Sequence, residues 1–296
     1  MIKARSITKS YRGLDVLRGV SIDVEPGTIH GFVGPNGAGK STFLKILIGV
    51  VHRDGGQLDI DGFDPATSVV QVRRRIGYSP SETALYHRMR TGELLEFSLC
   101  HHLHADLARG RMLLELLGVP SNRRVGALSH GMKRKLLIAQ AIASGTPLLV
   151  LDEPMEALDP EARRRVEELL RAEVDSGRTI FFSSHDLAST QRLCSRVTFL
   201  HRGRVLRDGL MDELLEAHGG VLHLEFREPV LPEQLPRASS ISWEGHGEAA
   251  RLVYQGQLES VLSTIDGLPI KSIRDDSGDL EQLFDRLYMA DGETVA

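Results

Sequence analysis

The chain has 296 residues, 41% of them hydrophobic and 26% charged, a balance that predicts a folded globular protein rather than a disordered one. The formal net charge of −4 argues against a general nucleic-acid binder. Two scattered cysteines, Cys100 and Cys194, indicate a reducing compartment rather than a disulfide framework. The apolar runs are far shorter than the roughly 20 residues of a membrane span, and the first residues lack a signal-peptide pattern. We therefore expect a cytoplasmic protein whose contact with a membrane is made only through a partner.

Short apolar runs alternate with helical patterns over the first two hundred residues. This alternation predicts an α/β fold with a mostly parallel core sheet covered on both faces. Strands are predicted at 28–34, 76–78, 147–154 and 179–185, helices at 40–50 and 160–174, and a hairpin at 196–209. The stretch 91–145 has mostly helical patterns and is predicted to be an inserted helical subdomain.

A smaller domain is predicted after Gly219 and Gly220, which mark a linker. Beyond them, "VLHLEF" alternates at strand period and "RLVYQG" is expected to pair with it, whereas "QLESVLSTID" and "DLEQLFDRLYM" have helical patterns. The predicted domains are therefore 1–218 and 221–296, the second a small α+β accessory domain.

A glycine-rich motif, "GPNGAGKST" at 34–42, follows a predicted strand and opens a predicted helix. Its glycines let successive backbone amides turn toward one point and surround phosphate oxygens, while Lys40 can reach the β- and γ-phosphates and Ser41 can bind Mg²⁺. The alternative is a glycine-rich turn without a ligand. The candidate nucleotide-binding residues are Gly34, Pro35, Asn36, Gly37, Ala38, Gly39, Lys40, Ser41 and Thr42.

Polar residues also follow two predicted buried strands, in "LLVLDEP" (148–154) and "FFSSHDL" (181–187). Ligands of parallel sheets bind at the carboxyl ends of the strands, so we expect Asp152 to hold Mg²⁺ through water and Glu153 to act on an attacking water as general base. His185 is expected at the same edge, where it could bind a γ-phosphate or that water. A solvated acidic pair and a structural histidine are the alternatives.

The stretch "LSHGMK" (128–133) precedes a run with helical periodicity. The Ser129 hydroxyl is suited to cap such a helix. A cap does not need Gly131, so the other interpretation is a helix N-terminus left open to hold an anion.

Taken together, these motifs resemble those of the ATP-binding subunits of ABC transporters, in order and spacing, over roughly residues 1–215. "GPNGAGKST" resembles the Walker A loop, "LLVLDEP" the Walker B strand, and "LSHGMK" the signature motif usually written LSGGQ. "ALDP" (157–160), which contains Asp159, resembles the D-loop, and His185 matches the switch histidine. Tyr11 stands where the family has an aromatic residue that stacks on adenine.

The resemblance implies a P-loop NTPase fold of the ABC type, with ATP and Mg²⁺ as cofactors. It implies two such chains, expected as a homodimer, with two ATP molecules between them. Ser129, Gly131 and Asp159 would then act at the ATP of the partner chain. It also implies a separate transmembrane permease, which places the chain on the inner face of the cell membrane, and no nucleic acid.

The segment "SETALYHRMRTGELLEF" and the small C-terminal domain resemble the drug and antibiotic exporter branch of this family. We therefore expect a subunit that powers export. The alternatives are the ATPase of an importer and a soluble ABC-type ATPase that acts on ribosomes or DNA.

The chain departs from the family pattern at three positions. His130 and Met132 replace a glycine and the glutamine of the signature motif. Ser81 stands where the family usually has glutamine and sometimes glutamate, whose side chain touches Mg²⁺ or its water and senses the permease. Either Ser81 could bind the metal through a water, or Glu82 could take its place.

A histidine-rich segment, "CHHLHAD", follows a predicted helix. If the helix continues, Cys100 and His104 share a face, as do His101 and His104, and a metal site would be conceivable. The alternative is an ordinary histidine-rich helix end at the surface, which also includes His102.

Overall fold

The computed structural model describes residues 1–254, 256, 258–275 and 280–293. The chain divides into two compact units, Met1–Asp208 and Gly209–Ala296. The boundary at Gly219 and Gly220 stays a prediction. None of the helices in the described part of the chain combines the length and the apolar composition that crossing a bilayer needs.

The first unit is an α/β assembly. Its strands are β1 (Ile2–Tyr11), β2 (Leu14–Val24), β3 (Ile29–Val33), β4 (Gly55–Ile60), β5 (Ile76–Ser79), β6 (Leu148–Asp152), β7 (Thr179–Ser184), β8 (Arg196–His201) and β9 (Arg204–Leu210). Its α-helices are α1 (Lys40–Leu47), α2 (Val69–Arg73), α3 (Thr91–Leu99), α4 (Leu107–Leu116), α5 (His130–Ala143), α6 (Pro160–Asp175) and α7 (Leu187–Leu193), with a short 3₁₀ turn at Val125–Ala127.

Six strands form the core sheet in the order β5-β6-β7-β3-β8-β9. The pairs β5–β6, β6–β7, β7–β3 and β3–β8 are parallel. Every residue of β3, β6 and β7 is buried. Burial along the whole strand is typical of strands that are covered on both faces. The predicted α/β fold with a mostly parallel core sheet is therefore confirmed.

The aromatic core fixes α1 against this sheet. The Phe32 ring of β3 lies 5.1 Å from the Phe43 ring of α1 and 5.5 Å from the Phe181 ring of β7. All three side chains are fully buried, and aromatic pairs at such distances add to the free energy gained by burial. The start of α1 is thereby held at the carboxyl edge of β3.

A second, antiparallel sheet, β2-β1-β4, was not predicted from the sequence. Its buried residues come from alternate positions, as in Ile2 and Ala4 of β1. The alternation breaks where Ser6 adopts a φ of 51° and the register with β2 shifts between Ala4 and Ile7. Such a bulge moves the following side chains to the other face, which hides the strand from a simple period-two pattern.

The predicted helical stretch 91–145 contains α3, α4 and α5. Asp106 caps α4, since its side chain accepts from the Arg109 amide at 2.8 Å. Ser129 caps α5 by accepting from the Met132 amide at 3.2 Å. These caps supply partners for amides that the helix itself leaves unpaired.

The second unit is a small α+β assembly. It contains α8 (Met211–His218), β10 (Gly220–Val230), β11 (Ile241–Glu244), β12 (Gly247–Tyr254), α9 (Leu258–Ile265), β13 (Ile270–Asp275) and α10 (Leu280–Glu293). Its antiparallel sheet has the order β11-β12-β10-β13, with Leu222, Leu252 and Ile265 in its core. The two predicted helices start at Gln257 and Asp279, which lie outside the described residues; the helices themselves are present.

His30 of β3 is a buried titratable group in the core of the first unit. Its side chain is fully buried, with Nε2 2.7 Å from the Thr198 hydroxyl and 3.6 Å from an Asp208 carboxylate oxygen. Burial lowers the pKa of His30 to about 4; Asp208 opposes this shift and Arg196 adds to it. The residue is therefore neutral in the folded chain near pH 7.

This shift predicts a loss of stability in acid. The unfolded chain binds a proton at His30 below a pKa of about 6.5, whereas the folded chain does not do so until about pH 4. The free energy of unfolding should therefore fall by about 3 kcal/mol from this residue as pH drops from 7 to 4. Urea unfolding across that range should show a smaller fall for His30→Gln, and an unchanged fall for His52→Gln, a change at an exposed histidine. Equal pH dependence in parent and His30→Gln would contradict the prediction.

Candidate nucleotide site

The loop between β3 and α1 has a backbone that requires glycine. Gly37 and Gly39 have φ values of 82° and 109°, in the left-handed region that side chains disfavour. At Gly34 the reason is space, because an added Cβ would lie 2.3 Å from the Leu200 carbonyl oxygen. The loop then runs into the N-terminus of α1 at Lys40. Amides of the loop and helix end can therefore face an anion, as the motif predicts.

This loop borders a cavity of about 550 Å³. Its lining residues are Val16, Pro35, Asn36, Gly37, Gly39, Lys40, Ser41, Thr42, Ser81, Glu153, Glu156 and His185. Most of the predicted site residues thus meet around one space. Tyr11, Gly34, Ala38, Ser129, Gly131, Asp152 and Asp159 do not line this cavity. Val16 and Glu156 were not predicted, although Glu156 follows the acidic pair by only three positions and could have been found there.

Asp152 joins several segments at the base of the site. Its fully buried carboxylate accepts at Oδ1 from the Ser183 hydroxyl at 2.5 Å and the Ser41 hydroxyl at 3.2 Å. At Oδ2 it accepts from the Ser81 hydroxyl at 2.9 Å. Carboxylate and hydroxyl oxygens at one place form a donor set that suits a hard cation. Ser183 was missed, although it directly precedes "SHDL" and pairs in register with Asp152.

Ser81, rather than Glu82, is the residue that reaches this position. The Glu82 carboxylate is largely exposed and lies 2.9 Å from Lys45 Nζ. Which of the two residues takes the place of the usual glutamine stays a prediction, and the contact with Asp152 favours Ser81. The short side chain of Ser81 reaches Asp152 because the backbone after β5 brings it there directly.

Glu153 is held between a lysine and a histidine. Oε1 lies 3.2 Å from Lys40 Nζ, and Oε2 lies 2.9 Å from His185 Nδ1. The Glu153 amide donates to the Ser183 hydroxyl at 3.0 Å. Glu153 also has a φ of 50°, an unfavourable conformation that persists only where surrounding contacts enforce it. Glu153 therefore contacts both Lys40 and His185.

The first turn of α5 packs against the loop that follows Glu153. A Cβ at Gly131 would lie 2.7 Å from the Ala157 carbonyl oxygen, so glycine permits this close approach. Asp159 caps α6 by accepting from the Ala162 amide at 2.8 Å, and this bond lowers the pKa of Asp159. Both Ser129 and Asp159 therefore have capping roles within the chain.

Tyr11 lies at the end of β1 with 43% of its surface exposed, and Lys9 Nζ is 5.3 Å from its ring centroid. An exposed aromatic face of this kind is available for stacking. Tyr11 is not among the residues that line the cavity.

The histidine-rich segment does not continue a helix, because α3 ends at Leu99. The shared helical face proposed for Cys100 and His104 is therefore absent. The Cys100 thiol lies 3.0 Å from His101 Nδ1. Among the residues that the structure describes, no group of three or more histidine, cysteine or acidic side chains is arranged to hold a metal ion.

Comparison with known proteins identifies the family. The family model described as ABC transporter matches residues 17–156. A Nod factor export ATP-binding protein of Burkholderia pseudomallei is 36% identical over 233 residues, 77% of each chain. A daunorubicin resistance ATP-binding protein of Streptomyces coeruleorubidus is 35% identical over 217 residues, 72% of this chain and 69% of that protein. The dimeric structure of a bacterial ABC transporter cassette is 26% identical, with a TM-score of 0.65, and covers 71% of this chain and 99% of that one.

Fold, cavity and motif geometry define an ATPase with a P-loop nucleotide site of the ABC type. On this geometry and these similarities, the chain belongs to the ABC transporter family, among its ATP-binding subunits.

Ala157 provides a test of strain beside this site. Its φ of 58° costs about 1–2 kcal/mol for a residue with a Cβ, whereas glycine loses more chain entropy on folding by about 0.4–1 kcal/mol. Ala157→Gly should therefore leave the free energy of unfolding unchanged or raise it by about 1 kcal/mol. The matched change Ala172→Gly, at an exposed position inside α6, should lower it by about 1 kcal/mol. The free energies of unfolding of both variants can be measured by urea denaturation. Equal decreases in the two variants would contradict the assignment of strain to Ala157.

Proposed function

We propose that this chain is the ATP-hydrolysing subunit of an exporter, and that two copies act together on a separate membrane permease. One observation carries the catalytic part: Glu153 is held at 3.2 Å from Lys40 and 2.9 Å from His185, beside the P-loop cavity. Relatives whose names include export and resistance support the transport direction. The relatives named here give no support to an importer or to an ATPase that acts on ribosomes or DNA.

Nucleotide binding follows from the loop and the end of α1. Gly37 and the residues from Gly39 to Thr42 line the cavity. Their backbone amides and the Lys40 ammonium would hold the β- and γ-phosphates. Ser41 and, through water, Asp152 would hold Mg²⁺, with Ser81 as a further hydroxyl donor, and the ion would offset charge on the phosphate oxygens. Tyr11 would stack on the adenine ring.

Glu153 would take the proton of the water that attacks the γ-phosphate. A carboxylate is suited to this step when it is oriented and lies within hydrogen-bond reach of the water. His185 Nδ1 orients Glu153, which leaves the His185 Nε2 atom for the γ-phosphate or the water. The Glu153 amide, bonded to the Ser183 hydroxyl, keeps the carboxylate at the cavity.

The signature residues would complete the ATP site of the partner chain. Ser129 and Gly131 do not line this chain's own cavity, and the first turn of α5 presents backbone amides that suit an anion. The similar cassette of known structure is dimeric. We infer a homodimer on the cytoplasmic face of the membrane, held there by the permease, with Asp159 at the contact between subunits and 221–296 as an accessory domain.

Replacing Glu153 tests the catalytic assignment. Glu153→Gln should bind ATP as the parent does but hydrolyse it about 10²-fold more slowly or worse, because an amide cannot accept the proton of the water. The measurements are single-turnover ATP hydrolysis and equilibrium ATP binding. Glu161→Gln, a change at an exposed carboxylate of α6, is the control and should hydrolyse normally. Hydrolysis by Glu153→Gln near the parent rate would show that Glu153 is not the base.

Mixing two variants tests the shared site. Ser129→Arg should block closure on the partner's γ-phosphate, and Lys40→Ala should weaken the chain's own phosphate contacts. Each variant alone should dimerise poorly with ATP. A mixed dimer has one site with both residues intact, so ATP-dependent association and single-turnover hydrolysis should partly recover.

The control for this experiment is Ser121→Arg, the same change at an exposed loop serine, which should associate like the parent. The decisive single variant is Ser129→Arg by itself. Normal dimerisation and hydrolysis by that variant would mean that Ser129 serves only as a helix cap.

A further inference from the structure

Arg134 is a fully buried arginine on α5, one turn and a half beyond Ser129. Its Nη1 donates to the Pro80 carbonyl at 2.5 Å and its Nη2 to the Ser81 carbonyl at 2.6 Å. Nη1 also reaches the Asp152 carbonyl at 3.3 Å. A single side chain of the signature helix therefore contacts the segment that carries Ser81 and the strand that carries Asp152.

These contacts differ from those of an ordinary buried ion pair. Within the part of the chain that the structure describes, the carboxylate paired with Arg134 is that of Glu156, which lies 3.3 Å away and is 46% exposed. The strongest bonds go instead to two consecutive backbone carbonyls, and the buried Nε has no hydrogen-bond partner among the described residues. A buried charge must be compensated, and here the compensation depends on where the backbone at 80–81 lies.

We propose that Arg134 is a positioning residue that couples the Pro80–Ser81 segment to the N-terminus of α5. Through it, the state of the chain's own Asp152 and Ser81 sets the position of the helix end that serves the partner's ATP. The second half of this statement rests on the proposed function, in which Ser129 acts across the dimer.

Geometry makes this coupling direct. A guanidinium is planar and holds its donors in a rigid fork, so the two carbonyls cannot shift independently of the side chain. The α-helix rises about 1.5 Å per residue, which places Arg134 only about 7–8 Å along α5 from Ser129. Ser81 joins both ends of the link, because its hydroxyl bonds Asp152 and its carbonyl bonds Arg134.

Arg178, which lies between α6 and β7, offers a matched control because it contacts the C-terminal end of α5. It is also buried and donates to two backbone carbonyls, at Thr146 (2.7 Å) and Ile142 (2.8 Å), and it pairs with Glu173 at 2.6 Å. None of these residues lines the nucleotide cavity. Losing Arg178 should loosen α5 at its C-terminal end without touching the segment at 80–81.

The test is amide hydrogen exchange with and without ATP, in Glu153→Gln chains diluted until they are monomeric. In that background, ATP should change exchange at 37–42 and also at 130–133. Adding Arg134→Met should abolish the response at 130–133 and leave that at 37–42. Adding Arg178→Met should leave the ATP-induced changes in exchange at both segments as they are in the Glu153→Gln background. Arg134→Lys keeps the charge but lacks the fork, and should reduce the response at 130–133 about threefold or more.

Steady-state hydrolysis with Glu153 intact gives a second measurement. Arg134→Met should lower kcat about tenfold or more while the KM for ATP changes by no more than about threefold. Arg178→Met should change both by no more than about threefold at a temperature where both variants are folded. If Arg134→Met does not fold, Arg134→Lys provides the same comparison with a smaller loss of kcat.

A retained response at 130–133 in the Arg134 variants would overturn the proposal. So would equal losses in the Arg134 and Arg178 variants, because a general loosening of α5 would then explain both. Failure of the proposed function is seen separately. In that case the parent does not dimerise with ATP, although the monomer exchange experiment still reports whether Arg134 couples the two segments.

Discussion

The site depends most on the compensation of one buried carboxylate, that of Asp152. Three hydroxyls donate to it, from Ser41, Ser81 and Ser183. Burying an ionised carboxylate without such donors is strongly unfavourable, so each hydroxyl bond constrains the segment that supplies it. The start of α1, the segment after β5 and the end of β7 are thereby held at one edge of the sheet, which is the edge where ligands of parallel sheets bind.

The loop that follows β6 contains two residues with a strained backbone. Glu153 and Ala157 both have positive φ values, of 50° and 58°, although neither is glycine. The contacts of Glu153 with Lys40, His185 and Ser183 supply the free energy that holds its unfavourable conformation. The same loop presents the Ala157 carbonyl to Gly131, so strain at Glu153 and close packing of α5 belong to one structural unit.

Local patterns predicted the core sheet and much of the site, for a physical reason. A parallel strand covered on both faces is a continuous apolar run, and the P-loop is a contiguous motif, so both are visible within a few residues. The β-bulge at Ser6 hid β1, and the end of α3 at Leu99 removed the helical face suggested by the cysteine and histidines. No local pattern could show that Arg134 bonds Pro80, because those residues are separated by 54 positions.

Ser81 shows how a shorter side chain can keep a segment in the site. A long glutamine would lose more rotamer freedom on being fixed beside Asp152 than serine does. Here the Ser81 hydroxyl reaches Asp152 directly, while its carbonyl is held by Arg134. Position is therefore transmitted through the backbone rather than through a flexible side chain. Since a backbone shift at Ser81 would move both bonds together, any displacement of this segment would alter the surroundings of Asp152 and the position of α5 in a single step.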